Sequence, residues 1–148
     1  MPNIHFIYQG DDYCAKRETV CKIICDYIST VLPLPDNIEI VFAKLGESEY
    51  GTTIVDKRFP NRLSINTKLT YIEVPHVLVH ELIHLHQIKT GILSNTSDGK
   101  YIWNKRIFSV PKDYSYKQYS ELPWELDVKN KEPKLLSKVL EILNTSKV

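Results

Sequence analysis

Residues 70–89 read TYIEVPHVLVHELIHLHQIK, and this stretch predicts one long helix near the middle of a 148-residue chain. Glu73 stands three residues after Thr70, as in a capping box, and Pro75 is tolerated in a first helical turn. The helix is expected to end near Gly91, because glycine is common just after the last turn of a helix. Apolar residues surround the helix except along one polar stripe, which is typical of a helix buried in the middle of a protein.

The polar stripe of this helix carries the pattern H-E-x-x-H, formed by His80, Glu81 and His84. His80 and His84 lie ~40° apart and one turn apart on an ideal helix, so both imidazoles can reach one metal ion. Glu81 points beside that ion, where it can take a proton from water as a general base. Because burying unpaired polar side chains is costly, the polar stripe predicts that His80 and His84 both bind a metal ion.

A third metal ligand is expected, since catalytic zinc takes three protein ligands and one water. One zincin class uses a histidine six residues after the second one, but Thr90 stands there. The remaining candidates are carboxylates further along the chain. Glu125 is the best of them, because Pro123 and Trp124 fix the backbone at the start of a predicted helix. Glu121, one turn earlier, is the alternative.

The rest of the chain mixes strand and helix patterns. Short apolar and β-branched runs predict strands at residues 4–8, 38–43, 52–58, 62–68, 101–103 and 107–110, with hairpins joining 52–58 to 62–68 and 101–103 to 107–110. Helical spacing extends over 13–32, with an N-cap at 10–12, and a polar turn-rich segment covers 94–100. A short helix near 124–129 is expected to end before Pro133, and a last amphipathic helix follows it.

These elements predict an α+β fold in one domain over residues 1–148. A small mixed sheet packs on the N-terminal helix and on the buried H-E-x-x-H helix, within about residues 1–92. A C-terminal helical part, about residues 100–148, completes the metal site.

Composition excludes several classes of protein. Lys and Arg number 19 against 18 Asp and Glu, so no basic field favours nucleic acid. No apolar run approaches the ~18 residues of a membrane span, and the first six residues show no signal-peptide pattern, so we expect a cytoplasmic protein.

Cys14, Cys21 and Cys25 share one helical stripe, and we expect buried free thiols in a reducing compartment.

The chain resembles the gluzincin-type zinc metallopeptidases in two motifs, His80-Glu81-x-x-His84 and Tyr119-x-x-x-Pro123-Trp124-Glu125. More narrowly, it is similar to small single-domain peptidases of bacteriophages and prophages that pair H-E-x-x-H with P-[WF]-E. The resemblance covers about residues 60–130. It implies a zincin-like fold, one zinc ion held by His80, His84 and Glu125, Glu81 as base, hydrolysis of peptide bonds, and the host cytoplasm as location if the protein is phage-encoded.

Two positions depart from the family pattern. Val128 stands where these peptidases usually have alanine, and Lys129 stands where many larger gluzincins have an acid that orients a ligand histidine. Asp127 or Glu121 is then the candidate for that orienting role.

The expected reaction needs a peptide or protein substrate and a donor to the oxyanion. Tyr119 is the first candidate for this donor, followed by Tyr116 and Tyr114. The strand at residues 62–68 is either a sheet edge on which an extended peptide could lie by β-augmentation or a plain structural strand. No nucleic acid or membrane partner is expected.

Three alternatives remain beside the peptidase. The first is a catalytically silent zincin-fold binding or virion-associated protein with a structural zinc. An intact Glu81 argues against it, because metal binding alone does not need this residue. The second is a peptide-deformylase-like hydrolase, although the cysteines lack a Glu-Gly-Cys context. The third is an SprT-like protease, although the chain has no basic tail or cysteine-rich zinc ribbon.

Overall fold

A computed structural model describes residues 1–10, 13–55, 58, 61–110 and 113–146. Within them the protein has an α+β fold, as predicted, with two small sheets and four α-helices. Residues 11 and 12 of the expected N-cap lie outside the described residues. The elements are β1 (Asn3–Tyr8), α1 (Ala15–Val31), β2 (Asn37–Ala43), β3 (Gly51–Thr53), β4 (Arg62–Asn66), α2 (Val74–Lys89), β5 (Leu93–Asn95), β6 (Tyr101–Trp103), β7 (Arg106–Phe108), α3 (Tyr116–Ser120) and α4 (Pro123–Thr145).

The first sheet has the strand order β1-β2-β4-β3 and is mixed. Strands β1, β2 and β4 run parallel, and β3 pairs antiparallel with β4. The two central strands place their large apolar side chains in the core, where Ile40, Phe42, Leu63 and Ile65 are fully buried. Central parallel strands read as nearly continuous apolar runs for this reason.

The prediction of a hairpin from residues 52–58 and 62–68 is confirmed for the antiparallel pair β3–β4, although β3 ends at Thr53. Residues 56 and 57 of the predicted first strand lie outside the described residues. The expectation that residues 62–68 form a sheet edge is wrong. Strand β4 lies between β3 and β2, because β2 pairs with it in parallel along its other side. The edge strand beside β4 is therefore β3.

Helices α1 and α2 pack on each other, and α2 also packs on β3 and β4. Cys21 and Cys25 are fully buried in this contact, as predicted, whereas Cys14 is half-buried just before α1. Thr70 donates hydrogen bonds from its backbone nitrogen and hydroxyl to the Glu73 carboxylate, at 3.1 and 3.0 Å. The turn that they close leads directly into α2.

The expected helix break at Pro133 does not occur. Helix α4 is continuous from Pro123 to Thr145 and packs against α2 and α1. Val128 and Val139, on either side of Pro133, are both buried, while Pro133 itself is exposed. Proline removes one helical hydrogen bond, but the freed carbonyl of an exposed turn can bind water. Burial on both sides of the proline holds the helix together.

The second sheet has the order β5-β6-β7, all antiparallel, and includes the predicted hairpin of residues 101–103 and 107–110. Strand β5 falls partly in a segment expected to be a polar turn. Its buried Leu93 anchors it, although its other residues are polar. Among the described residues, no helix is both long and apolar enough to cross a membrane.

Candidate metal centre

Helices α2 and α4 bring two histidines and a glutamate together, as the sequence predicts. The Nε2 atoms of His80 and His84 lie 3.3 and 3.0 Å from the two carboxylate oxygens of Glu125. The three potential ligand atoms all lie within 4.8 Å of one another. Glu125 stands in the first turn of α4, where the packing of α4 on α2 aims its carboxylate inward.

A second set of contacts fixes the far side of each histidine ring. His80 Nδ1 is 3.1 Å from Oε2 of Glu132, two turns further along α4, and His84 Nδ1 is 2.8 Å from Oε1 of Gln87. The Gln87 nitrogen donates to the Trp124 carbonyl and to Asp127, both at 2.9 Å. Its oxygen is therefore the atom left for His84, and both Nδ1 atoms face acceptors.

The pKa shifts of the two histidines and Glu125 favour the charged form of each group. Burial lowers the pKa of His80, but hydrogen bonds to Glu125 and Glu132 outweigh it and raise this pKa to about 10. The pKa of His84 is also raised, since the Glu125 bond outweighs burial. Burial alone would raise the pKa of Glu125, yet hydrogen bonds from both histidines hold it well below its usual range.

The donor set fits a metal ion on chemical grounds. Each Nδ1 must carry a hydrogen, because its partner among the described residues is an acceptor oxygen. Without another cation, both Nε2 lone pairs would then point at the Glu125 carboxylate and repel it. Protons can relieve this repulsion, and so can one divalent ion bound by two imidazole nitrogens and a carboxylate. Histidine ligands of metals ordinarily donate their second N–H to such oxygens.

Glu81 lies next to the histidines but turns toward strand β3. It is buried, and its Oε1 accepts a hydrogen bond of 2.8 Å from the Thr53 hydroxyl. Among the residues that the structure describes, none donates a hydrogen bond to Oε2. Burial raises the pKa of Glu81, against the effect of the nearby histidines. A carboxylate of this kind is poised to accept a proton.

Strand β3 reaches Glu81 only because residue 51 is glycine. A Cβ at Gly51 would lie 2.6 Å from Cγ1 of Val77, 3.1 Å from the Ser64 carbonyl oxygen and 3.2 Å from Cγ of Glu81. The missing side chain lets the strand approach α2 closely enough for Thr53 to hold the carboxylate.

Tyr119 is the tyrosine that the structure brings to the cluster. Its hydroxyl donates a 2.7 Å hydrogen bond to Oε1 of Glu125, and its ring stacks on Tyr114 at 5.8 Å. Burial, and then the Glu125 charge, raise the pKa of Tyr119 well above its usual value, so the hydroxyl remains a donor. Tyr116 is 82% exposed and lies further out.

Glu121, the alternative third ligand, is exposed, and the cluster does not contain it. Glu132 and Gln87 are the residues that the sequence analysis missed. Glu132 follows Glu125 by seven residues, which is two turns on the same helix face, but the expected break at Pro133 concealed this spacing. The histidine-orienting role expected of Asp127 or Glu121 falls to Glu132 and Gln87, and Asp127 supports Gln87.

Two cavities flank the cluster. One, of about 210 Å³, reaches past His84 and Glu125 to Trp124, and the other, of about 600 Å³, opens beside His76 and His80. Both are lined by the same five residues at their boundary: Gly51, Thr52, Glu81, Tyr114 and Tyr119. The candidate centre therefore sits between two spaces that a chain-like molecule could fill.

Comparisons with protein-family models, with curated proteins and with solved structures find no significant match.

Proposed function

We propose that the protein is a zinc-dependent metallopeptidase of gluzincin-like architecture. The observation that carries this proposal is the convergence of His80, His84 and Glu125 within 4.8 Å, with Glu81 beside them. Two imidazoles and one carboxylate form a typical catalytic zinc ligand set. A purely structural site has no need of the fourth residue, whose buried carboxylate accepts a hydrogen bond from Thr53.

Each residue has a distinct task in this proposal. His80, His84 and Glu125 would hold the ion, and Glu132 and Gln87 orient the two histidine rings. Zinc, when bound, supplies Lewis-acid polarisation of a carbonyl and makes water more acidic. Glu81 accepts the proton of the attacking water and passes it to the leaving amine.

Tyr119 supplies the hydrogen bond to the developing oxyanion in this proposal, and for this its single hydroxyl proton turns from Glu125 to the oxyanion. Its hydroxyl lies within one hydrogen bond of Glu125, and the residue lines both cavities, so it borders the space where a substrate carbonyl would react. The substrate is a peptide or a protein, and its chain would pass between the two cavities.

Metal content and a base variant together test the proposal. Purified protein should bind about one zinc per chain and cleave peptides, and Glu81→Gln should keep the zinc but lose hydrolysis. Unchanged turnover in the Glu81→Gln variant would show that Glu81 is not the general base. Zinc retention without any peptide cleavage by the parent protein would favour a structural site in a binding protein.

The third ligand has its own matched pair of variants. Glu125→Ala should lower zinc content, whereas Glu121→Ala, which removes an exposed acid four residues earlier, should leave it unchanged. The reverse result would transfer the role to Glu121.

A further inference from the structure

Strand β1 is an edge of the first sheet that the proposed function does not use. The opposite edge is β3, whose Thr53 contacts Glu81. Among the residues that the structure describes, no strand pairs with the outer side of β1. Natural proteins usually protect such an edge with charged side chains, prolines or bulges. The six residues of β1, Asn3–Tyr8, include no Asp, Glu, Lys, Arg or Pro, so this edge is open to another strand.

The backbone of β1 presents regular hydrogen-bonding groups along the open edge. The Asn3 nitrogen donates to the Asp36 carbonyl, on the β2 side of the strand, at 2.7 Å. Alternate residues of a strand direct their backbone groups to opposite sides. The N–H and C=O groups of Ile4, Phe6 and Tyr8 therefore point outward. In an antiparallel pair, residues of this kind exchange both of their hydrogen bonds.

A stripe of charged residues on α1 lies above β1. The Tyr8 hydroxyl donates to the Glu18 carboxylate at 2.6 Å, and Lys22 Nζ lies 5.7 Å from the centre of the Phe6 ring. Helix α1 thus runs in the direction opposite to β1. Asp26 follows Lys22 by one turn on the same helix face. Lys22 is exposed and Asp26 is half-buried.

We propose that the protein forms a symmetric dimer in which the β1 strands of two copies pair antiparallel across this edge. Two-fold symmetry brings the same patch of both copies together, so a strand without charged residues meets an identical one. With His5 on the axis, Ile4 pairs with Phe6 of the partner subunit, and both direct their backbone groups across the edge. The two four-stranded sheets then form one continuous sheet.

The charges on α1 select this register. Because Lys22 lies above Phe6, an axis at Phe6 would set the two Lys22 side chains against each other. Two helical residues advance ~3.0 Å and one strand residue ~3.3 Å, so the midpoint between Lys22 and Asp26 lies above His5. An axis at His5 therefore places each Lys22 opposite Asp26 of the partner subunit.

The position of α1 over the sheet allows these ion pairs to form. Helix α1 covers β2 as well as β1, since the Arg17 guanidinium lies 4.3 Å from the centre of the Phe42 ring. Neighbouring strands are ~4.8 Å apart, so two helices placed in this way on either side of the axis lie about 10 Å apart. Packed helices ordinarily lie at that distance.

Sedimentation of the full chain over a series of protein concentrations tests the dimer. The parent should reach twice the 17.2 kDa mass of one chain, and a parent that stays monomeric at every concentration overturns the proposal. His5→Lys sets two positive charges opposite each other at the axis and should weaken the dimer by about fivefold. Ser97→Lys adds the same charge at another exposed position and should leave the dimer unchanged. Equal dimer affinity in His5→Lys and the parent overturns the pairing through β1.

A charge exchange on α1 tests the register. Lys22→Glu turns both ion pairs of the dimer into repulsions and should weaken it by roughly tenfold. Adding Asp26→Lys to the same chain restores opposite charges across the axis, so the double variant should regain most of the parent affinity. Both positions lie on the outer side of α1, and unfolding temperatures close to that of the parent verify that the variants are folded. A double variant that dimerises no better than Lys22→Glu overturns the proposed register.

Discussion

Glu132 offers the sharpest test of how the candidate metal centre is built. Its carboxylate contacts His80 Nδ1 at 3.1 Å and His76 Nε2 at 2.7 Å, and it is mostly buried. The first contact fixes the ring that presents Nε2 to the cluster. Loss of such an orienting partner typically lowers metal affinity by roughly 10- to 100-fold, or about 1.4 to 2.8 kcal/mol. We therefore expect Glu132→Ala to bind zinc that much more weakly.

The contact with His76 should contribute much less to zinc affinity. The His76 side chain is 70% exposed, and a surface ion pair is worth about 0 to 1 kcal/mol. His76→Ala should therefore weaken zinc binding by less than about fivefold. Glu132→Gln keeps an oxygen that can accept from His80, so its affinity should fall between those of the parent and the alanine variant.

Competition with a chromogenic chelator at fixed pH measures these affinities directly. Glu141→Ala is the matched control, because Glu141 is an exposed acid on the same helix, and its ion-pair partner among the described residues is Lys138. It should bind zinc as the parent does. Equal zinc affinity in Glu132→Ala and the parent, with the unfolding temperature unchanged, would refute the orienting role of Glu132.

Three further predictions concern the surroundings of the cluster. Thr53→Val should lower kcat by roughly 10- to 150-fold with zinc content unchanged, because it removes a hydrogen bond to the Glu81 carboxylate worth about 1.5 to 3 kcal/mol. Thr53→Ser should restore most of the rate, and a kcat of Thr53→Val equal to that of the parent would contradict this. Gly51→Ala should destabilise the protein by about 1 to 3 kcal/mol in denaturant unfolding, and the added change Val77→Ala should recover part of the loss; additive effects would argue against the contact. In the native protein only the thiol of Cys14 should react quickly with a thiol reagent at pH 8. Burial raises the pKa values of Cys21 and Cys25 and makes them inaccessible to the reagent. Rapid reaction of all three thiols would contradict this.

Local spacing along the chain was enough to predict the two histidines and Glu81. The positions of His80 and His84 on one face follow from helix periodicity, and so does the burial of a helix that is apolar on its other faces. The same reasoning located the stripe of Cys21 and Cys25 on α1. Each of these features depends on residues fewer than about ten positions apart.

Glu125 was predicted less directly. Its place after Pro123 and Trp124 marked it among several acids, but the exposed Glu121 fitted the sequence pattern almost as well. The choice between them depends on how α4 packs against α2, which no local pattern encodes.

The sequence by itself thus determined an α+β chain with a buried H-E-x-x-H helix, because periodicity and side-chain polarity act within a single element. Only the tertiary structure decided that α4 continues through Pro133 and brings Glu132 to His80, and that β3 rather than β4 forms the sheet edge beside Glu81. Such contacts join residues more than 20 positions apart. They depend on the burial gained when whole elements pack together, which outweighs local preferences such as that of proline against a helix.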